Sequence, residues 1–396
     1  MFSLKCPSLL QFDKRRLAEP NLRTVFHIDR TPCDTSIREI LDGVEPVRLR
    51  RPFRDLFAAA QRSGLLDRYR VLGGRYLIAL DGTEHFRSDA VHCEACLTKQ
   101  HRDGRTSYHH QALAGVVVRP GLRTVVPLCP EPIVRSDGRT KNDCELNAGR
   151  RFLADLRREH PHLPIVVLID ALYANGPFLK EAASLRMDYI VRLKEEDQPF
   201  LWQRIAEREA AGDRRAFSVR DPEAGARHDF VLYDHVQLNA SHDDLFLNVV
   251  LHSETPAGAE DAKFVATWGT PLEVKRGNAL EFGRSARCRW KVENETFNTL
   301  KNRGYQFEHN FGHGRLHLAT VLMLLMFLAF AVDQLQEAGC PVFQAALGSK
   351  YCRKELWDHL RSHFLTLPYG SMTELLNSLA AHMVQKPLAK PPPLKG

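Results

Sequence analysis

Two short apolar runs, each closed by an aspartate, constrain this chain more than anything else in it. Arg75–Leu80 (RYLIAL) runs into Asp81, and Pro164–Ile169 (PIVVLI) runs into Asp170. Apolar runs of this length, bounded by turn-forming residues, read as strands buried on both faces. Helical spacing follows the first run at Glu145–Glu159. A second helix of about 176–185 and a strand at Tyr189–Leu193 follow the second run. Strands alternating with helices predict an α/β core. In open α/β sheets ligands bind beyond the carboxyl ends of the strands, which is where Asp81 and Asp170 would stand. One aspartate at a strand end is most often a turn or cap residue. Two of them, with an acidic helix further along, point to chemistry.

That helix begins at Arg289-Trp290-Lys291-Val292-Glu293. At 100° per residue Trp290, Glu293, Phe297 and Leu300 share one face. A carboxylate on an apolar face is costly unless it is paired or holds a metal. Glu295, two residues on, falls on the opposite side with Lys291 and Asn302, a face suited to solvent. Glu293 is therefore the expected third acid.

These residues resemble the DDE transposases of bacterial insertion sequences, in the RNase H-like superfamily. The resemblance rests on LIALDGTEHF around Asp81, VVLIDALYANGPF around Asp170, KNDCELNAGRRF at Lys141–Phe152 and RWKVENETFNTLKNRGYQFEHNFGHG from Arg289. It covers about residues 20–335. The intervals, 89 residues from Asp81 to Asp170 and 123 from Asp170 to Glu293, suit members with a β-rich insertion before the last acid. The commonest third motif has Tyr three residues before its Arg; here that position is Ala286, a divergent feature.

The resemblance implies a catalytic trio, Asp81, Asp170 and Glu293, holding two Mg²⁺ or Mn²⁺ ions. Hard cations take oxygen ligands, and a pair of them activates the attacking oxygen and stabilises the leaving one. Asp81 would bridge both metals, with Asp170 and Glu293 each completing one. Water would free a 3′ hydroxyl, which then attacks target DNA. Lys301, Lys194 and Arg289 are the expected contacts to DNA phosphates. The partners implied are double-stranded DNA, as element ends and as target, and a second copy of the chain in the DNA complex. Two other readings keep the same residues in view: another metal-dependent nuclease on this fold, and a non-catalytic DNA-binding protein derived from a transposase.

Composition agrees. Lys and Arg number 55 against 48 Asp and Glu, a net charge of +7 that suits a polyanionic partner. Nine cysteines at irregular spacings, with no leader-like start in Met1–Asp13, predict a cytoplasmic protein with reduced thiols. The uncharged apolar stretch Leu318–Val332 is 15 residues, short of the roughly 20 a bilayer core requires, and reads as a buried core helix rather than a membrane span.

Five regions are expected. Residues 1–70 form a helical, basic region, with Arg48, Arg50 and Arg51 between two helices, read either as a DNA-binding module or as a helical cap on the core. Residues 71–204 and 286–345 make the two parts of an RNase H-like core. Residues 205–285 form a β-rich insertion, mostly antiparallel and outside that core. Residues 346–396 are helical and end in a proline-rich tail.

One further cluster carries metal-ligand types. His92-Cys93-Glu94-Ala95-Cys96 is followed by His101, His109 and His110. Cys93 and Cys96 with two of the histidines, His109 and His110 among them, are a candidate structural zinc site; cysteines in a loop without metal are the alternative. His309–Gly314 (HNFGHG) predicts a tight turn, beside the active site or simply between helices.

Overall fold

The two apolar runs become neighbouring strands of one large mixed sheet. The computed structural model describes residues 1–14, 16, 19–136 and 141–381. Ile165–Ile169 is buried at every position and pairs in parallel with Arg75–Ser88 on one side and Asp188–Leu193 on the other. Past Arg75–Ser88 the sheet continues antiparallel through Thr106–Val118 and Leu97–Gln100. Past Asp188–Leu193 it continues antiparallel through Phe264–Thr270, His242–Thr255, Arg227–Asn239 and Arg215–Arg220.

Side chains alternate across each strand, and the core divides accordingly. Leu77 and Ala79 join a cluster with Leu322, Met326 and Phe330 of the long helix Leu318–Gly339. Tyr76, Ile78 and Leu80 join a second cluster with Phe152 of Glu145–Glu159 and Phe178 of Gly176–Ser184. Helices on both faces of a mixed sheet are consistent with the RNase H-like core that the resemblance implies.

Two elements depart from expectation. The Asp81 strand does not stop at Asp81-Gly82 but runs to Ser88. Its parallel pairing with Ile165–Ile169 ends at Ala79, while the antiparallel partner keeps it extended, with Asp81 opposite Ala114 and Gly82 opposite Leu113. The strands within 205–285 are antiparallel, yet they are not separate from the core sheet. Phe264–Thr270 bonds directly to Asp188–Leu193, with Gly269 opposite Val191, so they prolong that sheet. The two ends of this region are helical, belonging to Pro199–Ala210 and Ala279–Arg287.

Residues 1–70 are helical, with Asp34–Asp42 and Arg50–Arg62 as the longer elements, and they pack tightly on the rest. Leu22 and Phe53 enter the first core cluster and Phe57 the second. Arg50 is buried and forms ion pairs with Glu159 (2.6 Å), Asp155 (2.9 Å) and Glu131 (3.5 Å). It ties the N-terminal helices to the core and is not placed for a DNA phosphate, whereas Arg48 and Arg51 are exposed. Asp42 accepts the backbone N–H groups of Arg315, Leu316, His317 and Leu318 at 2.9–3.0 Å, capping the start of the long apolar helix.

That helix is 22 residues long, more than the uncharged stretch suggests. By length and composition it would cross a bilayer, but 72% of its most apolar window is buried inside the fold. It also carries Asp333 into the interior, paired with Lys5 (2.5 Å) and accepting from the Tyr305 hydroxyl (2.6 Å). Burial pushes the Lys5 pKa down, against the pull of Asp333. Removing one partner of such a pair strands the other charge, at a cost of about 3–5 kcal/mol. Asp333→Ala is therefore expected to shift the urea midpoint by that equivalent, and Lys5→Met with Asp333→Leu to recover most of it. A single variant within 1 kcal/mol of wild type, a shift as small as a surface pair gives, would show that the pair does not hold the helix. The C-terminal helices Arg353–Thr366 and Met372–Ala381 follow. The proline-rich tail, 387–396, lies outside the described residues.

Candidate active site

Continuing the register of the parallel pair, in which Ala79 faces Leu168, sets Asp81 beside Asp170. The charges of both acids reach the Tyr173 hydroxyl. Asp170 also accepts the N–H of Leu172 (3.0 Å), starting the short turn Ala171–Tyr173.

The third acid arrives from the helical segment after Ala279–Arg287. Residues Val292–Phe297 form a π-helical stretch, an irregularity common at functional sites. Glu293 accepts from Arg289 Nη2 at 2.8 Å, and Arg289 Nη1 lies 3.6 Å from Asp81 Oδ2. Arg289, expected as a phosphate contact, is thus placed inside the acidic cluster, with its side chain only 14% exposed. Trp290 does not pack on the core as the helical wheel expected: it is 42% exposed and meets Phe264 edge-on. The π-helical turns alter the angular spacing on which that wheel relies.

A fourth carboxylate, which the sequence reading did not single out, completes the group. Glu145 is the first residue of its helix. It accepts from the Tyr173 hydroxyl at 2.9 Å and from the Gly82 N–H. A Cβ at position 82 would push the Glu145 carboxylate out of this place. The only local sign of Glu145 was its position in CELNAGRRF. Arg192, on the strand beside Arg289, also went unremarked; it lies against Trp268.

Electrostatics follow from this crowding. Burial, then the charges of Glu293 and Glu145, raise the Asp81 pKa to about 7, against the opposing pull of Arg289. Glu145 is also raised, by burial and by Asp170. Three carboxylates, Asp81, Glu293 and Glu145, thus share one arginine in a half-buried site, and the charge of Asp170 bears on Glu145. A group like this is short of positive charge, and hard divalent cations are what oxygen ligands of this kind hold.

The remaining basic candidates stand apart. Lys194 is exposed just past its strand, and Lys301 pairs with Glu308 at 2.9 Å.

The cysteines gather differently from expectation. Cys93, Cys96 and His110 bring their donor atoms within 4.8 Å of one another. His109 is not with them. It bonds Glu84 and Ser107, each at 2.6 Å, and Ser107 in turn bonds His101 at 2.8 Å. His109 and His110 are consecutive on a strand and must point to opposite faces, so only one of them can join the cysteines.

Residues 73–331, about two thirds of the chain, match the family model described as the transposase DDE domain. The chain belongs to the DDE transposase family. No curated protein matches it. For a DDE transposase, DNA is the partner the family implies, and the acidic cluster lies within the matched residues.

Proposed function

We propose that this DDE transposase cuts the ends of an insertion sequence and joins them to target DNA, using Asp81, Asp170 and Glu293 as its metal-holding acids. The observation that carries the reading is the gathering of Asp81 and Glu293 around the one Arg289 guanidinium, 3.6 and 2.8 Å away, with Glu145 near enough for its charge to raise the Asp81 carboxyl further. That excess of negative charge suits two Mg²⁺ or Mn²⁺ ions, with Asp81 between Asp170 and Glu293. When bound, such ions would activate the attacking oxygen and stabilise the leaving 3′ oxygen.

The chain's own residues do the rest. Glu145 holds the Tyr173 hydroxyl and the Gly82 N–H, fixing the backbone beside Asp81. Arg289 balances Asp81 and Glu293 in the absence of cations, and with Lys194 and Lys301 it would bind DNA phosphates once the acids are otherwise neutralised. In the first step water attacks the phosphodiester at the element end and leaves a free 3′ hydroxyl. In the second that hydroxyl attacks a target phosphodiester, so each broken P–O bond is replaced by another. The exposed arginines of residues 1–70 extend the DNA surface, and the enzyme would act as a homodimer in the cytoplasm without a membrane.

The test is nicking of a labelled duplex carrying the element's terminal sequence. Strand cleavage is expected with Mg²⁺ or Mn²⁺ and none with EDTA. Metal-independent cleavage, or none with any divalent ion at ends the protein binds, would reject the reading.

A further inference from the structure

The cluster of Cys93, Cys96 and His110 has a metal's geometry without the acids' chemistry. Tetrahedral zinc, with Zn–S near 2.3 Å and Zn–N near 2.05 Å, places its sulfurs about 3.8 Å apart and each sulfur about 3.6 Å from a ligand nitrogen. Cys93 Sγ and Cys96 Sγ are 3.7 Å apart, and His110 Nε2 lies 3.3 Å from each. The Cys93–Cys96 turn is closed by Cys96 N donating to Cys93 O at 3.2 Å, and the Cys93 N–H approaches Cys96 Sγ at 3.4 Å. Backbone donors aimed at sulfur favour thiolates, the form that binds metal.

The fourth position has a specific occupant. His313 belongs to the glycine turn after the Glu293 helix, between Gly312 (φ +137°) and Gly314 (φ +66°). Its ring is centred 4.1 Å from Phe86 and 5.1 Å from His110, and the charge of Cys93 is felt at it. Both of its ring nitrogens are buried with no hydrogen-bond partner. A buried polar group left unmade costs about 1–3 kcal/mol, so a histidine kept this way points to a ligand. Of the other nearby histidines, His101 and His109 bond Ser107, His92 bonds Ala90 O and stacks on Tyr108, and His85 stacks on His110 with Phe307 against it.

We propose that Cys93, Cys96, His110 and His313 form a structural zinc site that fastens the Asp81 strand to the segment following the Glu293 helix. Two thiolates and two neutral imidazoles around Zn²⁺ carry no net charge, which suits a half-buried position. Cys93 and Cys96 follow the Asp81 strand, and His110 lies on its antiparallel partner, opposite Phe86. His313 lies five residues before the long helix Leu318–Gly339. Closing the site requires the His313 ring to swing towards the other three, which the flanking glycines permit. The bound zinc would hold two of the acid-bearing segments in fixed relation. It is independent of the divalent ions proposed for the acids, which have no sulfur ligand.

Elemental analysis of the full chain, purified under reducing conditions and offered Zn²⁺, should find about one zinc per chain. Zinc near zero overturns the proposal. Cobalt replacing zinc in the wild-type protein should give the intense visible bands of a tetrahedral centre with sulfur-to-metal charge transfer. A weak octahedral spectrum overturns it. Cys93→Ser and His110→Ala should lose the metal. His109→Ala should keep it, and so should Asp81→Asn, which separates this site from the acids. His313→Ala should retain the cobalt thiolate band with altered visible bands and surrender zinc to a chelator at least 10-fold more readily. An unchanged spectrum and affinity would remove His313 from the site.

Discussion

Asp81→Asn is expected to make the metal-free protein more stable at neutral pH while abolishing DNA cleavage. The folded-state pKa of Asp81 is about 7, raised from 3.8 first by burial and then by the charges of Glu293 and Glu145. The folded protein therefore binds more protons at this carboxyl than the unfolded chain does between about pH 4 and 7. Stability contributed by the protonated form is complete below about pH 4 and is lost as the pH rises through 7. At 1.36 kcal/mol for each tenfold change, a displacement of this size amounts to about 4 kcal/mol at most. Asparagine never ionises and avoids that cost. It also leaves Arg289 with one carboxylate fewer, which offsets part of the gain. A net stabilisation of about 1–3 kcal/mol at pH 7.5, shrinking towards zero near pH 4, is the expected result. Urea unfolding in EDTA at both pH values measures it. Adding Mg²⁺ should then stabilise the wild type and not the variant, since only a ligand that binds the folded state shifts the equilibrium. A variant no more stable than wild type at pH 7.5 would show that the acids are already balanced without a cation, and would remove the main support for metal binding there.

Part of this site is legible in the sequence alone. Asp81 and Asp170 could be placed because their strands are covered on both faces, so that residues 77–80 and Ile165–Ile169 ahead of them are all apolar. Asp81 sits in mid-strand rather than at a strand end, because a second, antiparallel partner carries the chain onwards. Local sequence has no mark for such a partner. Glu145 was missed for a related reason: its role depends on Gly82 and Tyr173, far away along the chain. Arg50 illustrates the opposite error. An arginine between short helices looks like a phosphate contact, yet its partners Glu131, Asp155 and Glu159 lie some 80–110 residues on and bury it. His313 and His110 are joined only by the fold. The period of two along a strand, however, already allowed just one of His109 and His110 beside the cysteines.

Glu293 and Glu295 divide the remaining question, because only one of them can serve as the third acid. They are two residues apart on a helical segment and point to opposite sides, whether its turns are α or π. Glu293 takes the Arg289 guanidinium at 2.8 Å and bears on the Asp81 carboxyl. Glu295 instead bears on Glu337 of the long helix, which is itself paired with Arg353. Glu293→Gln keeps the shape and the bond from Arg289 while removing the charge a cation needs. Cleavage is expected to fall by at least about 10²–10³-fold, the range seen when a transition-state charge partner is lost. DNA affinity should stay within a few-fold of normal. Glu295→Gln should leave cleavage within a few-fold of wild type. Glu145→Gln removes a charge that orients the first acid without being one of the proposed metal-holding trio, so a loss of about 10–100-fold is expected. Cleavage rates on an intact duplex carrying the element end, with binding measured separately, resolve the three. Should Glu295→Gln abolish cleavage while Glu293→Gln spares it, the helix presents its other side to the acids, and Arg289 is bridging the wrong pair.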